Sequence, residues 1–181
     1  MKGVLRLQWP LLLSAFILIP SLTMAQTTYV GSKKCMSCHG SIYALWKDTL
    51  HNKSQQILSR TNDTLVVDWK GMIKLKDGNI PEVFVKLEDG PGDIHQATLV
   101  DAKDPPKEAT YNVVRTYGGW GWKQRYQVKI GNHHYILPFQ WNQATSRWVP
   151  YNLENWYKED GSLKIPAVDK SFEMSCAGCH N

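Results

Sequence analysis

The spacing of apolar and polar positions divides the chain into four stretches. Leu7 to Ala25 is almost continuously apolar, centred on Leu11-Leu12-Leu13 and Phe16-Ile17-Leu18-Ile19. From Ser41 to Leu58, Ile42, Leu45, Trp46, Leu50 and Ile57 recur at roughly three- and four-residue intervals, which predicts an amphipathic helix. Thr61-Asn62-Asp63-Thr64 reads as its break. Strand candidates follow at Met72–Lys76, Pro81–Leu87, Ile94–Val100, Tyr111–Tyr117, Gln124–Ile130, His133–Trp141 and Arg147–Tyr151. Turn signals lie between them: Asp77-Gly78, Glu88 to Gly92, Lys103-Asp104-Pro105-Pro106, Gly118 to Trp122 and Gly131-Asn132. Turns this frequent predict an antiparallel meander, built as a small sandwich or a curled sheet. Asp160-Gly161 and Pro166 make the tail loop-rich. The expected fold class is α+β: short helical segments flank an antiparallel β-rich module, with little regular structure near the C-terminus.

All four cysteines fall in two copies of one motif, Cys35-Met36-Ser37-Cys38-His39 and Cys176-Ala177-Gly178-Cys179-His180. Cys-x-x-Cys-His is the attachment sequence of c-type haem. Two thiols three positions apart each form a thioether to one porphyrin, and the adjacent histidine becomes the proximal ligand of the iron. Disulfides and a zinc site are the alternatives, since paired cysteines suit both. Neither accounts for a histidine directly after each pair. The expectation is two covalent haem c groups, held by Cys35 and Cys38 and by Cys176 and Cys179, with His39 and His180 on the irons.

The N-terminus reads as an export signal. Lys2 and Arg6 give a basic start, and Thr23-Met24-Ala25 is a small-residue cleavage site before Gln26. An uncleaved anchor is the alternative, but Gln8, Pro10 and Pro20 weaken Leu7–Ala25 as a membrane helix. The expected organisation is a signal peptide over 1–25, a helical first haem-binding segment over 26–61, a β-rich module over 62–151, and a second haem-binding segment over 152–181. The location this implies is periplasmic. The formal charge of +5 loses Lys2 and Arg6 with the leader, and haem propionates bring the remainder towards neutrality. No cluster of lysine and arginine with interleaved aromatics marks a nucleic-acid surface.

What an attached iron does depends on its sixth ligand: two protein ligands favour electron transfer, and an open position permits chemistry. Met36, Met72 and Met174 are poorly placed for that position, which leaves His51, His95, His133 and His134. His51 is the best candidate. A straight helix places it about 18 Å along the axis from His39, better suited to a neighbouring haem than to its own. His133 and His134 share a strand and face opposite ways, His133 in phase with Tyr135, Leu137 and Phe139. Each reads as an ordinary hairpin-edge histidine, and His95 as a surface one. Bis-histidine ligation predicts low potentials. The eight tryptophans and eight tyrosines suit both a sheet core and haem faces. Only Asn181 follows His180, so the second haem must take its cover from elsewhere in this chain, from another subunit, or from further sequence. The chain is therefore expected to be the N-terminal part of a longer multihaem protein.

The stretch Tyr29-Val30-Gly31-Ser32, two lysines, Cys35 to His39, then Tyr43, Trp46 and His51 resembles the opening of multihaem cytochromes of the cytochrome c-552/4 type. Phe172 with Cys176 to His180 looks like a further motif of that type. Gln124-Arg125-Tyr126 through Leu137-Pro138 to Gln140-Trp141-Asn142 resembles the β-rich stretch of longer members. The resemblance implies a distal-ligand role for His51, and the leading reading is a periplasmic electron carrier, preferred to an enzyme without excluding one. Its partners would be periplasmic or membrane-associated redox proteins, along with further haem domains of the same longer chain or another subunit. Family members usually carry four or more haems, and this chain has motifs for two. The alternative is a haem-dependent redox enzyme, with nitrogen-oxide, hydroxylamine or peroxidase chemistry at one open iron. The chain has no Cys-x-x-Cys-Lys variant and is short for a dihaem peroxidase. A third reading is a docking module, in which the β-section recognises a partner.

Overall fold

The computed structural model describes residues 30–59 and 62–178. The expected leader over 1–25 lies outside the described residues, as do Cys179 and His180 of the second motif. No helix among the described residues is long and apolar enough to cross a membrane.

Eight strands form one antiparallel sheet: β1 (Gln55–Ile57), β2 (Gly71–Asp77), β3 (Ile80–Gly90), β4 (Ile94–Val100), β5 (Glu108–Gly118), β6 (Lys123–Ile130), β7 (His133–Asn142) and β8 (Arg147–Pro150). From β2 to β8 each strand pairs with the next in sequence. The sheet curls until β8 comes back beside β2, which gives a nearly closed barrel. The expected strands lie within a few residues of β2 to β8 because each alternates inward and outward. Ile73 and Leu75 of β2 and Val83, Val85 and Leu87 of β3 are buried, while Lys74, Phe84 and Lys86 between them are exposed. Hairpin chemistry supports the register. Ile130 pairs with His133 across a two-residue turn, and Gly131 takes the positive φ (58°) that such a turn demands.

Inside the barrel, Trp69, Tyr126, Phe139 and Trp148 form an aromatic cluster with ring centroids 4.7–6.0 Å apart. The indole N–H of Trp69 donates to the Gln96 carbonyl at 2.8 Å, so the ring is buried without stranding its polar atom. Buried Gln124 ties the approach to β2 onto the sheet: its side chain donates to Thr64 O and accepts from the Val66 N–H. After β8 the tail folds back and adds Leu153, Trp156 and Tyr157 to the core. Trp156 donates to Ile136 O at 2.9 Å. Burial pushes the Tyr126 and Tyr157 hydroxyls well above the ordinary tyrosine range.

The expected α+β class is overturned. Strands dominate, and only about 16% of the structure is helical. The helix read over 41–58 ends early: α1 spans Gly40–Trp46, and Gln55–Ile57 is a strand. Local polar side chains account for the break. Thr49 Oγ1 donates to Trp46 O at 2.7 Å and accepts from the Asn52 N–H, while the Asn52 amide donates to Lys47 O at 2.7 Å. These bonds give the backbone an alternative to the helical ladder. The second motif is preceded by one short turn of helix, α2 (Phe172–Ser175).

Candidate functional site

The first motif begins on a 3₁₀ turn, Ser32–Ser37. Cys35 lies within that turn and Cys38 caps its end. The Cys38 and His39 N–H groups both donate to Cys35 O, at 3.3 and 2.8 Å. His39 O then accepts from the Tyr43 N–H and opens α1. Both cysteines are free thiols, and both are exposed. His39, Ile42, Tyr43 and Trp46 follow at helical spacing and share a face. With Ser32 and Cys35 they line a cavity of about 290 Å³.

Helix α1 is unusual in what it leaves uncovered. None of its residues is buried, and Ile42 and Leu45 are 64% and 79% exposed. Seven residues are too few for a helix to be stable without packing. The apolar face therefore calls for apolar cover, and the adjacent thiols and imidazole are the donors that c-type haem uses. The residues present fit that group. His51 is exposed in the turn beyond α1, off the helix, and is not among the residues lining this cavity.

The second motif is fastened to the barrel through α2. Ser171 caps its start, the Ser171 hydroxyl accepting from the Met174 N–H at 3.4 Å. Phe172 is buried and meets Tyr117 of β5 edge-on, with centroids 6.1 Å apart. Phe172 O accepts from the Cys176 N–H at 2.8 Å. Glu173 bonds His134 of β7, by 2.7 Å to Nδ1 and by 3.1 and 3.2 Å to its backbone N–H. Partial burial pulls the Glu173 carboxyl upward, but bonds from the His134 side chain, from its own backbone and from the His134 backbone outweigh it and leave it lowered.

Cys176 is half-buried between two cavities. One, of about 270 Å³, is walled by Tyr135, Trp156, Pro166 and Phe172. The other, of about 310 Å³, is walled by Tyr117, Arg125 and Met174. Ile136 and Tyr151 face both. Here too the setting fits a porphyrin edge, with aromatic and aliphatic side chains set among polar ones beside the Cys176 thiol.

The strand that follows the first motif and Cys176 meet at one part of the barrel. β4 pairs with Glu108–Asn112 of β5, and β1 takes over along Arg115–Tyr117. Gln55, four residues beyond His51, pairs with Tyr117, and Tyr117 also lines a cavity at Cys176. Of the other histidines, His95 and His134 are bonded elsewhere. His95 Nδ1 lies 2.6 Å from Asp89 Oδ1, in an acidic hollow with Asp63 and Asp93. His133 and His134 face Glu173, and His133 Nδ1 is a buried nitrogen without a hydrogen-bond partner. Met36, Met72 and Met174 are exposed. No three histidine, cysteine, aspartate or glutamate side chains among the described residues are grouped to hold a metal ion.

Arg125, Tyr151, Ile136 and Glu173 were not identified as site residues from the sequence. The first three stand on the outer barrel, where an arginine or tyrosine in a strand reads as an ordinary solvent-facing residue. Glu173 lies close to the second motif, but only the folded chain brings His134 to it. No protein family, no curated protein and no solved structure matches this chain.

Proposed function

We propose that this protein is an electron-carrying c-type cytochrome that works outside the cytoplasm. Haem c would attach through Cys35 and Cys38 and through Cys176 and Cys179. The observation that carries the reading is the uncovered face of α1, where Cys35 and His39 border a cavity with Ile42, Tyr43 and Trp46. The second motif supports it with aromatic and aliphatic side chains, interspersed with polar ones, on both sides of Cys176. When bound, haem c supplies a one-electron iron couple.

In this reading His39 and His180 bind the irons from the proximal side, and His51 supplies a distal ligand. A filled sixth position leaves no room for substrate, which favours electron transfer over catalysis. The cavities lie at or below the small end of ligand sites, so burial alone would hold a porphyrin weakly. Thioether bonds supply the retention that the small cavities lack. The leader over 1–25 directs export to the periplasm, and the partners are periplasmic or membrane-associated redox proteins, with further haem domains beside the second motif.

The test is a pyridine haemochrome assay on protein matured with a haem-attachment system. Two c-type haems per chain are expected, and one in a Cys35→Ala, Cys38→Ala double variant. A colourless mature protein, or one carrying zinc, overturns the reading.

A further inference from the structure

The outer wall beside Cys176 carries an arginine that has no acidic partner among the described residues. Tyr117 of β5 pairs in register with Arg125 of β6, and Arg125 with Gln140 of β7. Arg125 Nε donates to Gln140 Oε1 at 3.0 Å, and its guanidinium carbon lies 4.1 Å from the centre of the Tyr151 ring. Gln140 is itself buried and donates to Pro150 O. The guanidinium is thus held against the wall by its ε edge and by the aromatic face beside it. Among the described residues no carboxylate pairs with it, although it is half-buried. A partly desolvated cation is costly unless an anion meets it, and a guanidinium is shaped to take a carboxylate through two parallel N–H donors.

Arg125 lines the cavity that holds Cys176, with Tyr117, Ile136 and Tyr151 around it. We propose that this outer face of β5 to β8 is the seat of the second haem, and that Arg125 receives one of its propionates. The inference rests on the haem reading of Cys176. It answers the question of cover: apolar contact comes from Ile136 and the two tyrosine rings of the chain's own barrel, and the charge is matched by Arg125. It also has an electrostatic consequence. A fixed positive charge beside the haem favours the reduced iron, which carries one positive charge fewer, and so raises that haem's potential.

The experiment uses the full chain with haem attached, counting haems first and then titrating potentials. Arg125→Gln should keep two haems per chain and lower one midpoint potential while the other stays in place. For that haem the oxidised-to-reduced ratio at fixed potential should rise about tenfold, equivalent to about 59 mV for one electron. Arg125→Lys, which keeps the charge, should restore most of the shift. Should Arg125→Gln fail to accumulate, Ile136→Glu places a carboxylate on the same wall and should lower the same potential. Two haems with both potentials unmoved in these variants overturn the inference and leave the haem reading standing. Wild-type protein without haem overturns both, and the count shows this before any titration.

Discussion

Glu173 Oε1 lies 2.7 Å from His134 Nδ1, and the same carboxylate accepts the His134 backbone N–H. One acid thereby joins the helical turn that precedes Cys176 to the start of β7. Cys176 is held where it is by this bond and by Phe172.

The lowered Glu173 carboxyl makes the clamp sensitive to acid. A depressed folded value means that its stabilisation is present above the ordinary 4.5 and is lost as pH falls through the lowered value. The side chain is 37% exposed, so solvent screening keeps the contribution under about 1 kcal/mol. Glu173→Gln should lower Tm slightly near neutrality and flatten its fall in acid. Thermal melts across that range check both effects, and parallel curves for the two proteins would count against the clamp.

Phe139 sits fully buried among Trp69, Tyr126 and Trp148. Phe139→Ala should cost about 3–5 kcal/mol in denaturant unfolding, with loss of near-ultraviolet dichroism from the cluster. A cost below about 1 kcal/mol would mean that the barrel interior is less tightly packed than described.

Gly161 carries φ 76°, and a Cβ there would come within 2.6 Å of both the Ala102 methyl and the Pro81 ring. Gly161→Ala combines backbone strain with a steric clash and should destabilise by about 1–3 kcal/mol. Equilibrium unfolding in urea measures it.

His51 separates electron carrier from enzyme. If it closes one iron, His51→Ala should let one haem bind cyanide or nitric oxide rapidly while the parent protein does not. Rapid binding to the parent itself would favour catalysis at an open iron.

The strands were legible because alternation is a local property. Val83, Val85 and Leu87 point one way and their neighbours the other whatever the rest of the chain does. The motifs were legible for the same reason, since Cys35, Cys38 and His39 lie on one turn. The helix over 41–58 was misread because Thr49 and Asn52 turn the backbone with their own side chains, a competition that apolar spacing does not register. The outer wall was illegible altogether: Tyr117, Arg125, Ile136 and Tyr151 lie on different strands or beyond them, and only the curl of the sheet and the return of the tail bring Cys176 against them.

By itself, then, the sequence determined the spacing of the two Cys-x-x-Cys-His motifs and the inward and outward faces of most strands, since both depend on residues a few positions apart. Closure of the sheet, the early end of α1 and the seating of the second motif were decided only in three dimensions. Each depends on contacts between residues far apart in the chain, or on side chains competing with the backbone, and neither leaves a periodic trace.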